Sequence, residues 1–150
     1  MDTYKRMGEI LLEHSLISQD QLDHALAARE RTHIRFGEVA VILGITDEES
    51  ITKCLSEQFD MPIADLDRVQ PKGAALTRVS PFFSLTRLFL PLEVNGDTLT
   101  AVVADPLDVR TCDQVSKETG LRLSLYLASP RALSAAIARY YEMPNIKGAA

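Results

Sequence analysis

At 150 residues, with 46% apolar and 25% charged side chains, the chain has the size and make-up of one ordinary globular domain or two small ones. Its net charge of −5 sits at the front: residues 1–60 carry six Lys/Arg against twelve Asp/Glu, and residues 61–150 carry ten against nine, which argues against DNA or an anionic membrane as partner. No stretch approaches the roughly 18 apolar residues of a membrane span, the polar start MDTYKRMGE is no signal peptide, and Cys54 and Cys112 are too few for a disulfide framework, so a cytoplasmic location with reduced thiols is expected.

A tandem repeat comes first in the chain. Residues 6–29 (RMGEILLEHSLISQDQLDHALAAR) lie over residues 35–58 (RFGEVAVILGITDEESITKCLSEQ) at an offset of 29, with residues 30–34 as spacer. Arg6 pairs with Arg35, Gly8 with Gly37, Glu9 with Glu38, Leu16 with Ile45, Leu22 with Ile51 and Leu26 with Leu55. In copy one, Met7, Ile10, Leu11 and His14 fall on one helical face, and Ser15-Leu16 break it. Ser18-Gln-Asp-Gln21 is a capping-box pattern that opens a second helix with Leu22, Ala25 and Leu26 as its stripe, which Arg29 continues. Copy two repeats the plan with Phe36, Val39, Ala40 and Leu43, a stop at Gly44, a capping box at Thr46-Asp-Glu-Glu49, and a stripe of Ile51, Cys54 and Leu55 ended by Gln58. Residues 4–58 therefore read as two helical hairpins packed as a pseudo-symmetric pair.

From residue 61 the character changes. Met61-Pro62 ends the helix, residues 63–66 suit a short strand, and Pro71-Lys-Gly73 suits a turn. Ser80-Pro81 opens a helix. Residues 89–94 and 99–103 about Asn95-Gly96 read as a β-hairpin. Asp105-Pro106 opens a helix that Gly120 stops, residues 121–127 alternate as a strand, and Ser129-Pro130 starts a last helix to Tyr141. The expected fold class is α+β: a tandem-motif helical subdomain at 1–60, a small α+β subdomain at 61–144 in ββαβα order, and a tail at 145–150.

Enzyme chemistry is not expected. There is no phosphate-binding loop of the G-x-x-x-x-G-K-[ST] kind, His14, His24 and His33 lack metal-ligand spacing, and no nucleophile elbow anchors a triad. What remains is recognition by the repeat. Four of the six front-half cations are Arg6, Arg29, Arg31 and Arg35, at the ends of the copies, where they serve either as solvated helix-end charges or as seats for a compact anion. The helix-opening arginines with the amides that follow make an anion seat, and arginine also stacks on planar bases and reads guanine edges. Gly8 and Gly37 each cost about 1 kcal/mol against alanine in a helix, so something approaches the backbone there, either another helix or a ligand. Two related seats suit a two-fold symmetric ligand with two phosphates and two bases.

Arg-x-Gly, two aliphatics, a loop residue with two more aliphatics, and Leu-x-x-x-Leu-x-x-Gln, twice in tandem, resembles the N-terminal cyclic di-GMP-binding domain of type II secretion and type IV pilus assembly ATPases. Met61-Pro-Ile-Ala-Asp-Leu66, Leu90-Pro-Leu-Glu-Val94, Val103-Ala-Asp-Pro-Leu107 and Ala138-Arg-Tyr-Tyr141 resemble it too, so the likeness covers almost the whole chain. The resemblance implies cyclic di-GMP as ligand, with no cofactor or metal, and each motif clasping half of the dinucleotide. It puts Arg6 and Arg35 on bases and phosphates, and the backbone around Met7-Gly8 and Phe36-Gly37 against the ligand. It puts Gln58 on a polar edge and Leu11, Leu12, Leu16, Val41 and Ile45 around the half-sites. Copy one departs from the pattern twice: Ser15 stands where copy two has Gly44, and Arg29 stands where it has Gln58. If those departures spoil the first half-site, the resemblance implies instead a docking module for the inner-membrane platform protein of the machine. The family's ATPase core is absent from these residues, which leaves an N-terminal piece of such an ATPase or a stand-alone relative.

Overall fold

The computed structural model describes residues 3–141, with side chains from Met7 onward. It divides between Asp60 and Met61 into two compact units. The expected tail at residues 145–150 lies outside the described residues.

The N-terminal unit is four helices, α1 (Thr3–Glu13), α2 (Gln19–Thr32), α3 (Phe36–Ile42) and α4 (Glu48–Phe59). α1 packs against α4 and α2 against α3, so each copy of the repeat is completed by helices of the other. Met7, Ile10 and Leu11 of α1, Leu22, Ala25 and Ala28 of α2, Phe36, Val39 and Ala40 of α3, and Cys54 and Leu55 of α4 form its buried interior. The expected stripes hold at their centres and fray at their ends. His14 and Leu43 are exposed and Ile51 is half-buried, while Ala28 and Thr52 are buried without having been marked by the apolar pattern. Burial raises the Cys54 thiol to about 11, helped by the nearby Glu57 carboxylate, so it stays protonated at neutral pH.

Ser18 caps α2 in a reciprocal box: its hydroxyl accepts the Gln21 amide at 3.2 Å, and Gln21 Oε1 accepts the Ser18 amide at 2.9 Å. The second cap is one residue later than expected. Asp47, not Thr46, is the N-cap of α4, and its carboxylate accepts the Ser50 amide at 2.8 Å. That register keeps the 29-residue offset from Ser18, and a carboxylate is the better acceptor at a helix N-terminus. Hydrogen bonds from Ser50, the main-chain amide first, hold the Asp47 carboxyl below its usual range.

The C-terminal unit holds a three-stranded sheet in the order β1 (Phe89–Asn95), β2 (Thr98–Val103), β3 (Arg122–Leu127). β1 and β2 are antiparallel, and β2 and β3 are parallel through the crossover helix α7 (Val109–Thr119). The fold is therefore α+β. Its core gathers Leu90, Val102, Leu133, Ala136 and Ile137, with α8 (Pro130–Tyr140) lying over the sheet. Two short helices precede β1, α5 (Gly73–Leu76) and α6 (Pro81–Arg87), the latter capped by Ser80 with proline at its start.

Four local expectations are corrected here. Residues 63–66 form no strand of their own: Ile63 makes a single parallel bridge to Leu127, after which the Asp65 carboxylate takes the Asp67 amide and bends the chain. Pro71-Lys-Gly73 leads into α5 instead of a simple turn, because the Lys72 amide is tied to Leu92 O at 2.8 Å while its carbonyl starts the helix. The hairpin loop is Gly96-Asp97, one residue past the Asn-Gly signal, with Asn95 paired to Thr98 and the positive φ of 64° at Gly96. Finally, α7 is opened by Asp108, which accepts the Thr111 amide and hydroxyl; Asp105-Pro106 belongs to the turn before it, where Asp105 accepts the Leu107 amide.

The end of α8 is tied to the segment ahead of the sheet. Tyr141 Oη donates to Leu76 O at 3.0 Å and lies 3.3 Å from Val79 O, while the buried Ser84 hydroxyl donates to it at 3.1 Å. Tyr140 Oη donates to Val69 O at 3.0 Å, and an Arg139 guanidinium nitrogen donates to Leu66 O at 3.2 Å. Three consecutive side chains thus hold the carbonyls of Leu66, Val69 and Leu76, which have no ladder partner in the sheet.

Candidate functional site

The residues that the repeat singles out all lie in the N-terminal unit, on two loops and the helices that flank them. The first loop joins α1 to α2 through Ser15, and the second joins α3 to α4 through Gly44. Ser15 adopts φ 57° and Gly44 φ 72°, both left-handed. In copy one the Ser15 amide donates to Leu12 O at 3.0 Å and the Leu16 amide to Leu11 O at 2.9 Å. In copy two the Gly44 amide donates to Val41 O at 3.0 Å and the Ile45 amide to Ala40 O at 2.9 Å. Every donor and acceptor is displaced by 29 residues and the distances agree. A serine in the left-handed region costs about 1–2 kcal/mol, yet the first loop closes as the second does. Leu11 and Ala40, as carbonyl acceptors, fix these loops from inside the core; the shared register of the two copies is the signal that finds them.

The side chains expected around the half-sites sort by depth. Leu12, Val41 and Ile45 are half-buried, Leu16 is 41% exposed, and Ser15 and Gly44 are exposed at the loop apices. Met7, Leu11 and Phe36 are in the core, Leu11 and Phe36 completely so, which leaves only their backbone neighbourhood to face a ligand. Arg35 is exposed, and Arg29 and Gln58 are half-buried in the last turns of α2 and α4.

The two arginines of the R-x-G-E motif are not equivalent. Arg35 is the N-cap of α3, with extended backbone and no side-chain cap of its own helix, so the first-turn amides follow it as expected. Arg6 is not helix-opening: α1 begins at Thr3 and carries the helical ladder past it, because residues 3–5 continue the helix instead of breaking it. The Arg6 side chain itself lies outside what is described.

Both glycines meet a helix. A Cβ on Gly8 would stand 2.5 Å from Leu22 Cδ1, and one on Gly37 would stand 3.1 Å from Ile51 Cγ2; Leu22 and Ile51 are themselves repeat partners. The close approach that the sequence leaves open between ligand and helix is therefore made by the second helix of each copy. Gly8→Ala gains about 1 kcal/mol of helix propensity but overpacks a buried leucine at a cost of about 1–3 kcal/mol, and a net loss of stability is expected. Gly37→Ala, where Ile51 need yield only slightly, is expected to be close to neutral. Urea midpoints of the two variants check this, and equal shifts would contradict the packing account.

Among the described residues no group of three His, Cys, Asp or Glu stands where it could hold a metal ion, and no described helix is long and apolar enough to cross a membrane.

Comparison with known proteins adds a family to this geometry. The type IV pilus assembly ATPase PilB of Myxococcus xanthus is 28% identical over 136 residues, which cover 91% of this chain and 24% of that protein. PilB of Thermus thermophilus is 27% identical over 139 residues, covering 91% and 16%. The chain thus spans a quarter or less of the length of these relatives. The solved structure of MshE with cdg (cyclic di-GMP) matches with a TM-score of 0.79 at 26% identity, over 91% of this chain and 99% of that one. The N-terminal domain of XpsE matches with a TM-score of 0.75 at 22% identity, over 93% and 96%, and speaks for the fold alone. The MshEN domain pattern matches residues 59–145, beginning where the repeat ends. With more than half of its length matched by that pattern, the chain belongs to the MshEN domain family.

Proposed function

We propose that residues 1–150 form a cyclic di-GMP-binding regulatory module of a type IV pilus or type II secretion assembly ATPase, with no ATP hydrolysis of its own. The observation that carries this reading is that both motif loops, Ser15 included, close by the same pair of main-chain hydrogen bonds, in a chain that shares its fold with MshE with cdg. Copy one departs from the motif at Ser15, but its loop keeps the main-chain hydrogen bonds of copy two, which supports a first half-site of the same shape. Each half of a two-fold symmetric dinucleotide would then meet one loop, one arginine and the end of one long helix. Arg35, exposed at the start of α3 beside the first-turn amides, would supply a cation for a phosphate or a base. Nucleotide regulates such a module only through its differential affinity for two arrangements of it.

Calorimetric titration with cyclic di-GMP, with GTP and ATP as controls, tests the proposal. Saturable one-to-one binding is expected, and Arg35→Ala is expected to abolish most of it while leaving the helical content unchanged. Full-strength binding by Arg35→Ala would sink the site assignment. Docking to the cytoplasmic part of an inner-membrane platform protein, with no nucleotide bound, is the alternative reading, and pull-down with and without nucleotide discriminates the two.

A further inference from the structure

We infer that the end of α3 is a docking site for a basic amphipathic helix of a partner protein, seated on Ile42 and Leu43. The repeat supplies the reference for this surface. At the 29-residue offset Ile42 and Leu43 lie over Glu13 and His14, and both helices end at the same repeat position, α1 at Glu13 and α3 at Ile42. The loops that follow close by matching hydrogen bonds. In copy one the place is polar: Glu13 and His14 are exposed, and His14 Nε2 lies 3.4 Å from Glu57 Oε2 at the end of α4. In copy two the same place is aliphatic and still open to water, with Ile42 70% and Leu43 41% exposed. The Ile45 amide, donating to Ala40 O at 2.9 Å, folds a third and half-buried aliphatic against the same turn. A single exposed aliphatic is ordinary on a protein surface. Adjacent ones, where the twin position carries charge, mark a surface made for contact.

The charge around the patch selects the partner. Glu38 stands one turn before Ile42 on the same face of α3, and Asp47 and Glu49 follow Ile45 at the start of α4; all three are exposed. Residues 36–52 hold these three carboxylates and Glu48, with no lysine or arginine among them. Counting Arg35 and Lys53 at the two borders still leaves four acids against two bases. Such a rim disfavours an anionic occupant. A helix with aliphatic residues along one face and lysines or arginines beside them meets both features, its stripe on Ile42 and Leu43 and its cations on the carboxylates. The inference goes beyond the nucleotide reading and does not rest on it, since Ile42 and Leu43 are outside the residues assigned to the ligand.

The test is calorimetric titration of the 150-residue chain with a synthetic amphipathic helical peptide of leucine and lysine, about 18 residues or five turns long, and with a leucine–glutamate peptide of the same pattern. One-to-one binding of the lysine peptide is expected, weakened by added salt, and none of the glutamate peptide. Ile42→Glu with Leu43→His writes the copy-one residues into copy two and is expected to weaken the lysine peptide by roughly tenfold or more. Glu38→Gln with Glu49→Gln leaves the aliphatics in place and is expected to weaken it severalfold at low salt. No binding of the lysine peptide by the parent, equal binding of the two peptides, or equal binding of the lysine peptide by the parent and both double variants would overturn the inference. Self-association of the parent that Ile42→Glu with Leu43→His abolishes, read by sedimentation, would give the patch to a second copy of this chain and overturn it as well.

Discussion

Phe36→Ala is expected to destabilise the N-terminal unit by about 3–5 kcal/mol. Phe36 is completely buried in the first turn of α3, one turn from Val39, which is itself buried. Truncation removes the ring's apolar contacts and leaves a cavity that close-packed helices refill only in part. The residue sits between Arg35 and Gly37 in the motif, so loss of ligand binding in this variant invites reading the ring as a ligand contact. The structure makes it a packing residue. Phe36→Leu, which restores most of the volume, is expected to cost less than about 1.5 kcal/mol and to keep the binding of the parent. Urea unfolding followed at 222 nm measures the first effect, and titration of the leucine variant separates the two roles. A leucine variant as stable as the parent but unable to bind would move Phe36 into the site.

In the C-terminal unit the corresponding effect is expected from Leu90→Ala, at about 2–5 kcal/mol. Leu90 is fully buried in β1, pairs with Val102 of the central strand, and belongs to the cluster that α8 closes with Leu133 and Ile137. β2 is buried along most of its length, with Leu99, Ala101, Val102 and Val103 all inside, so no face of the central strand has spare surface from which to refill the gap. Glu93→Ala, three residues along the same strand and exposed, serves as the control and is expected to stay within about 0.5 kcal/mol of the parent. A small effect at Leu90 would mean that the sheet and α8 collapse together more freely than their packing implies.

The repeat made the N-terminal unit legible. A 29-residue offset gave four helices and paired their glycines, stripes and loop residues, because each copy must satisfy the same contacts. It failed where two neighbouring residues offer the same cap: Thr46 and Asp47 both accept an amide, and only the register of the other copy distinguishes them. Asp105 and Asp108 posed the same difficulty ahead of α7, since both side chains do accept amides and only one begins a helix. α1 starts at Thr3, one residue ahead of the expected 4, and that start leaves Arg6 inside the helix instead of opening it. Leu88 was beyond reach: it takes φ 53° at the end of α6, where nothing local favours it, and its side chain packs onto the sheet core, which offsets the backbone cost. Of the candidate site, the loops and the inequivalence of Arg29 and Gln58 were readable from the two copies, whereas the depth of Met7, Leu11 and Phe36 was not. An aliphatic or aromatic residue next to a motif arginine looks the same whether it lines a cleft or fills a core.

The tyrosine hydroxyls that fasten the end of α8 also determine what the chain can report about itself. There is no tryptophan, and of the four tyrosines Tyr126, Tyr140 and Tyr141 belong to the C-terminal unit. Once Tyr4 is changed to phenylalanine, the near-ultraviolet tyrosine bands arise from that unit alone, and the repeat becomes spectrally silent there. Nucleotide titrated into such a chain either leaves those bands untouched, which marks an event contained within residues 6–58, or shifts them. A shift beyond the nucleotide's own absorption would be optical evidence that occupancy is felt in the C-terminal unit, where Tyr126, Tyr140 and Tyr141 lie.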